Sequence, residues 1–180
     1  MVDRITRIPA EQAVAYQMGQ PSFMSPDIVH SGILDKWLED DKFWVPSTEA
    51  VSFKPLLLSA SQGYYVNLLR VRKSGILSRH RHSGPVHALV LKGRWYYLEH
   101  DWIAEKGSYA YEPAGETHTL YVPEDVHEMI TWFHVTGGYT YMDPQGVAEG
   151  YEDVFTKIAA ADKHYVANGL GEDFVKRFIR

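Results

Sequence analysis

From about Val45 to Met142, hydrophobic residues occur in short runs that glycines interrupt. Short apolar runs with turn residues at intervals of about ten predict the strands of an antiparallel sandwich or barrel. The predicted strands are Val51 to Phe53, Leu56 to Leu58, Tyr64 to Val71, Val86 to Leu91, Arg94 to Ile103, Ser108 to Glu112, Thr117 to Val122 and Met129 to Val135.

Both ends of the chain show helical spacing instead of strand spacing. The predicted helical segments are Ala10 to Tyr16, Ile33 to Leu38, Val154 to Ala159 and Phe174 to Ile179. Neither a repeat nor a low-complexity linker divides the chain. The sequence therefore predicts one domain over residues 1–180. It has a helical or irregular N-terminal cover (1–44), a β-barrel (45–145) and C-terminal helices (146–180).

Composition narrows the class of protein. The 180 residues are 45% hydrophobic and carry a net charge of −5, which suits a globular domain with an ample core and argues against nucleic acid as the main partner. The chain has no cysteine, so disulfides and thiolate ligands are excluded. The N-terminus lacks the apolar core of a signal peptide, and no apolar run is long enough to span a bilayer. These features predict a soluble, cytoplasmic protein without a membrane partner.

The most informative chemistry lies in His80-Arg81-His82 and in His118. Side chains two residues apart on a strand point to the same face, with attachment points roughly 6.5 Å apart, so both imidazoles can reach one ion. His118 follows a Pro-Ala-Gly turn that can swing a neighbouring strand across the first. Three imidazoles on a sheet make an open metal site, although imidazole suits Fe, Zn, Cu and Ni alike. His80, His82 and His118 are the predicted ligands.

The residues around these histidines resemble two ordered sequence motifs of the cupin superfamily. The residues that carry the resemblance are Gly75, His80, His82 and Gly93 for the first motif, and Gly107, Pro113, Gly115 and His118 for the second. The resemblance implies a mainly β, single-domain cupin fold. That fold is a small antiparallel β-barrel or jelly roll, which holds one metal near its centre.

One position departs from the motif. The first cupin motif usually continues to a metal-binding glutamate, and here His87 holds that place. A centre of three histidines without this carboxylate resembles carbon-chain-cleaving cupin dioxygenases, and the run from Arg79 to His87 is most similar to the 2,4'-dihydroxyacetophenone dioxygenases. This resemblance implies non-haem Fe(II), O₂ and a small aromatic hydroxyketone as partners, 4-hydroxybenzoate and formate as products, and a homodimer or homotetramer. His87 could be a fourth ligand, but we expect it to orient the ligands or to contact substrate.

A carboxylate near the metal could take the proton of the substrate hydroxyl. Alternation from Trp95 onward puts Tyr97 and Glu99 on one face. If that face points inward, Glu99 could act as general base or as a fourth ligand. The alternative is that this face points outward and Glu99 is in contact with solvent. Tyr97 and Trp102 are the predicted substrate-binding aromatics, and further candidates for the pocket wall are Tyr65, Tyr109 and Phe133.

Two other functions fit the same motifs. The first is a cupin dioxygenase for a β-diketone or a flavonol, with the same histidines and different pocket walls. The second is a non-catalytic sensor that resembles the zinc-binding cupin domains of some anti-sigma regulators. Bound metal and O₂ uptake would distinguish these classes, because a sensor would hold zinc and consume no oxygen.

Overall fold

The computed structural model describes residues 14–33, 35 and 40–180. Within them the chain forms two antiparallel sheets of six strands each. The first sheet has the order β1-β2-β3-β10-β5-β8. Its strands are β1 (Val45–Pro46), β2 (Val51–Ser59), β3 (Tyr64–Val71), β5 (Val86–Lys92), β8 (Tyr109–Glu112) and β10 (Met129–Thr136).

The second sheet has the order β12-β11-β4-β9-β6-β7. Its strands are β4 (Gly75–His82), β6 (Arg94–Tyr97), β7 (Ala104–Glu105), β9 (Thr117–Val122), β11 (Tyr139–Met142) and β12 (Ala148–Glu152). The chain alternates between the two sheets, so each sheet contains strands that are distant in sequence. This arrangement confirms the predicted mainly β jelly roll.

The core lies between the inner faces of the two sheets. Inward positions follow the period of two: in β5, for example, Val86, Ala88 and Val90 are buried, whereas Leu89 is exposed. The largest buried apolar side chains of this core include Trp95, Tyr65, Tyr97, Tyr165, Phe53, Leu58 and Met129. Leu68 belongs to a second cluster with Trp44, Leu56 and Ile130.

The C-terminal part differs in one respect from the prediction. Residues 148–152 form strand β12, which pairs with β11, rather than a helix. Its first four residues are exposed, so backbone hydrogen bonds hold this edge strand without the apolar alternation that would identify it. Helix α1 (Val154–Ala167) follows as predicted, and the reciprocal hydrogen bonds of Asp153 and Thr156 form a capping box at its start.

The last residues form a short 3₁₀ helix, Val175–Phe178, in which Val175 and Phe178 are buried. Another 3₁₀ helix, Asp41–Phe43, precedes β1. The predicted helix at Ile33 to Leu38 lies largely outside the described residues, as does most of the one at Ala10 to Tyr16, and residues 14–16 have no regular structure. No helix in the described part of the chain is long and apolar enough to cross a membrane.

Candidate metal centre

Two adjacent strands bring the three predicted histidines together. His80 and His82 lie on β4 and point inward, and His80 is directly opposite His118 on β9. The three rings have centroid separations of 4.7 to 5.0 Å, and the Nε2 atoms of His80 and His82 are 3.1 Å apart. All three side chains are buried. Their ligand atoms lie within 4.8 Å of one another, so the cluster could hold a metal ion.

A fourth group joins this cluster, and sequence reasoning missed it. Glu112 ends β8, and its Oε2 lies 3.0 Å from His82 Nε2 and 3.7 Å from His118 Nε2. The side chain is only 2% exposed. Alternation could have identified it, because Ala110 and Glu112 share the less exposed face of β8 whereas Tyr109 and Tyr111 point to solvent.

The turn between β8 and β9 holds Glu112 and His118 in place. Gly115 has a φ of +88°, a conformation that residues with a Cβ rarely adopt. Its backbone N–H donates to the His82 carbonyl at 2.9 Å. The Pro113-Ala114-Gly115 turn is therefore tied to the strand that carries two of the three histidines.

The chemistry of these side chains fits a divalent cation. Neither oxygen of Glu112 makes a hydrogen bond of ordinary geometry with any described residue, and the same is true of both His118 nitrogens. Burial lowers the pKa of His118 to about 3 and that of His80 well below its usual value, so their nitrogens keep the lone pairs that a metal needs. The Nδ1 of His80 lies 3.0 Å from Ser78 Oγ, which leaves its Nε2 directed at the cluster. A cation here would satisfy groups that are costly to bury alone.

Glu116 and Tyr97 contact His118 and restrict its orientation. Glu116 Oε2 lies 3.8 Å from His118 Nδ1, and Glu116 Oε1 lies 2.8 Å from His100 Nε2. The ring of Tyr97 stacks on His118 at 3.6 Å with an interplanar angle of 9°. A carboxylate beside the outer nitrogen and a ring on its face restrict the rotation of a ligating imidazole.

Glu99 lies elsewhere, and its predicted role as a base beside the metal needs correction. Strand β6 ends at Tyr97, so the alternation that would carry Glu99 inward stops before it. Its carboxylate accepts hydrogen bonds from the backbone N–H and the hydroxyl of Thr119 at 2.7 and 2.8 Å. Thr119 neighbours His118 on β9, and adjacent side chains point to opposite faces. The carboxylate at the cluster is Glu112.

His87 also differs from its predicted place near the ligands. It alternates with the buried Val86 and Ala88, so its side chain points out of the first sheet. There its Nδ1 lies 2.7 Å from the Tyr109 hydroxyl, and its ring stacks on His134 at 5.7 Å. The structure therefore brings His87 near neither the histidine cluster nor the cavity.

The cluster opens onto a cavity of about 360 Å³, within the range of small-molecule sites. Of the predicted aromatics, Tyr97, Tyr65 and Phe133 line it, whereas Tyr109 is exposed. Trp102 packs on the far side of Tyr97, 5.6 Å from its ring, and does not line the cavity. The remaining wall combines aliphatic side chains with polar ones. The aliphatic residues are Val51, Leu69, Leu77, Val86, Leu120 and Val135, and the polar and aromatic ones are Ser47, Thr48, Asn67, Lys73, Ser78, Tyr139, Tyr141, Glu152 and Lys157.

Comparison with known proteins agrees with this architecture. No curated protein matches the sequence. An RmlC-like cupin from Ralstonia eutropha JMP134 is 28% identical, with a TM-score of 0.67, over 70% of this chain and 83% of that one. The acetylacetone dioxygenase of Acinetobacter johnsonii has the same fold, with 16% identity and a TM-score of 0.64, over 81% of this chain and 97% of that one. The model of the ChrR cupin-like domain family matches residues 38–140, more than half of the sequence. The chain belongs to the ChrR cupin-like domain family.

Proposed function

We propose that the protein is a non-haem Fe(II) dioxygenase that cleaves the C–C bond of an aromatic α-hydroxyketone. The proposed substrate is 2,4'-dihydroxyacetophenone, which would yield 4-hydroxybenzoate and formate. The observation that carries the proposal is the buried cluster of His80, His82 and His118 with Glu112 at one wall of an apolar cavity. A site that only stored a metal would not need such a cavity. The likeness to an acetylacetone dioxygenase supports O₂ chemistry on a related compound.

Different residues would bind the metal, accept the proton and surround the substrate. Fe(II) held by the three histidines would supply the positive charge that binds the two neighbouring oxygens of the substrate and the site at which O₂ reacts. Glu112 is placed to accept the proton of the substrate hydroxyl, because its carboxylate lies beside the ligand nitrogens. The aliphatic part of the wall would exclude water from the electron-rich alkoxide that this proton transfer forms.

The overall reaction balances without another redox cofactor. The bond between the carbonyl carbon and the hydroxymethyl carbon breaks, and each of these carbons receives one oxygen atom from O₂. The substrate supplies all the electrons, so the reaction needs neither a flavin nor a nicotinamide. Other divalent metals fit the same nitrogens, and iron is the choice that the proposed reaction requires.

The experiment is O₂ uptake by iron-loaded protein with a panel of hydroxyketones, β-diketones and flavonols. We expect the fastest uptake with 2,4'-dihydroxyacetophenone, in a one-to-one ratio with formate, and one ¹⁸O atom in each product from ¹⁸O₂. Zinc-loaded protein is the matched control, because zinc fills the site without redox chemistry. If O₂ were consumed only with a β-diketone or only with a flavonol, that compound would be the substrate and the proposed hydroxyketone would be wrong.

A second candidate is supported by the family match. A zinc-binding cupin sensor would use the same three histidines, and the matching family model carries the name ChrR. Protein purified with stoichiometric zinc and inactive after iron loading would favour the sensor. A homodimer or homotetramer in the cytoplasm remains part of the dioxygenase proposal, and sedimentation would give the oligomeric state.

A further inference from the structure

A second polar cluster lies in the wall of the same cavity. Its members are Tyr65, Tyr139, Glu152 and Lys157, all of which line the cavity. Lys157 comes from helix α1 and forms an ion pair with Glu152 Oε1. The Tyr139 hydroxyl donates to that same oxygen at 2.5 Å. The metal centre described above uses none of these four residues.

This second polar cluster lies directly beside the metal centre. The ring of Tyr139 lies 4.9 Å from the ring of His80 and 5.7 Å from that of His82, and its hydroxyl reaches Glu152. One tyrosine side chain therefore spans the gap between the histidines and the ion pair. A single-ring substrate whose two oxygens are held at the histidines would extend about as far.

The Tyr65 hydroxyl of this cluster is available for a hydrogen bond with a ligand. The Tyr65 hydroxyl is buried and lies beside Tyr139 and Glu152, but no described residue forms a hydrogen bond of ordinary geometry with it. Burying such a hydroxyl costs free energy unless a partner is present. The Lys157 side chain is 4% exposed, whereas Glu152 keeps 16%. Other polar side chains, such as Asn67 and Lys73, also line the cavity. What distinguishes this cluster is that it adjoins Tyr139, whose ring contacts the histidines, so a hydroxyl of a substrate held at the histidines could be recognised here.

Charge decides which ligand group this end of the cavity suits. The positive Lys157 and the negative Glu152 cancel, so neither a carboxylate nor an ammonium group gains a net attraction. A neutral hydroxyl can donate to a carboxylate and accept from a tyrosine hydroxyl. We propose that Tyr65, Glu152 and Lys157 form a specificity site for a phenolic hydroxyl at the far end of a single-ring substrate. This inference rests on the proposed function and adds the substituent that the enzyme selects.

The test compares 2,4'-dihydroxyacetophenone with 2-hydroxyacetophenone, which lacks only the ring hydroxyl. We expect the wild type to prefer the hydroxylated compound by at least about 100-fold in kcat/KM, because a site built for a hydroxyl rejects the analogue without it. Tyr65→Phe should reduce this preference by about fivefold and Glu152→Gln by about tenfold or more. Both variants should lose more kcat/KM with 2,4'-dihydroxyacetophenone than with 2-hydroxyacetophenone. Tyr111→Phe and Glu149→Gln make the same chemical changes at exposed positions and should keep the full preference.

A binding measurement separates this inference from the proposed reaction. Calorimetry on zinc-loaded and metal-free protein would compare 4-hydroxybenzoate with benzoate, and we expect tighter binding of 4-hydroxybenzoate that Tyr65→Phe weakens. That preference without any O₂ uptake would support the specificity site and overturn the proposed reaction. Turnover of both ketones at equal rates, with equal binding of both acids, would overturn the specificity site and leave the reaction intact.

Discussion

Replacing Glu112 by glutamine tests the assignment of the proton acceptor. The substitution keeps the size of the side chain and removes its charge and its ability to take a proton. A positioned base contributes about 10²- to 10⁴-fold to a rate, which corresponds to about 2.7 to 5.4 kcal/mol of barrier at 1.36 kcal/mol per factor of ten. We expect O₂ uptake by the iron-loaded Glu112→Gln protein to fall by that factor.

The same substitution should have opposite effects on the stability of the metal-free and metal-loaded protein. Without metal, the buried Glu112 carboxylate lies 3.0 Å from His82 Nε2 but has no hydrogen bond of ordinary geometry with a described residue, so the neutral amide should stabilise the fold by about 1 to 2 kcal/mol. In a domain of this size that is an increase in Tm of about 2 to 8 °C. With metal bound, the wild type regains the attraction between carboxylate and cation. The stabilising effect of glutamine should then disappear or reverse.

Thermal denaturation with and without a chelator measures the stability effect, and an oxygen electrode measures the rate. Glu99→Gln is the matched control. Its carboxylate binds Thr119 on the far side of β9, so this variant should keep an unchanged rate. A Glu112→Gln protein with the full rate would refute the assignment. A metal-free variant no more stable than the wild type would refute the claim that the carboxylate is buried at a cost.

Three other outcomes follow from the structure. His80→Ala, His82→Ala and His118→Ala should each lose metal and turnover with an unchanged circular dichroism spectrum. His87→Ala should keep a metal content and a turnover rate within about twofold of wild type, because its side chain points out of the first sheet; metal analysis checks both expectations. Glu116→Gln should weaken metal binding by about 10- to 100-fold, because His118 loses its supporting carboxylate; Glu124→Gln is the exposed control for the titration. The folded pKa of His118 is about 3, below its reference value of 6.5, so only the unfolded state gains this proton between those values. Denaturant titrations should therefore show metal-free stability falling below about pH 6.5, by up to about 1.4 kcal/mol per pH unit, with a smaller slope in His118→Ala.

The fold and the three histidines could be predicted because short-range rules determine them. Side chains two residues apart share a face of a strand, so His80 and His82 converge in any regular strand. The glycines of the two motifs restrict where the chain can turn. Glu99 shows where the rule fails: β6 ends at Tyr97, and the His100 backbone N–H donates back to the Tyr97 carbonyl. Alternation beyond the end of a strand has no physical basis.

The two polar clusters of the cavity depend on contacts between distant parts of the chain. Glu112 meets His82 because β8 and β4 belong to different sheets that face each other. Glu152 and Lys157 are close in sequence, but they line the cavity with Tyr65 because α1 packs against β1 and β2. No local pattern encodes the approach of Glu112 to His82 or of Lys157 to Tyr65. Both clusters nevertheless share one feature, since buried Glu112, His118 and Tyr65 each have polar atoms without a hydrogen bond of ordinary geometry among the described residues. Natural cores avoid such atoms because each one costs stability. Their concentration around one cavity is therefore best explained by ligands that complete them, a cation at one end and a hydroxyl at the other.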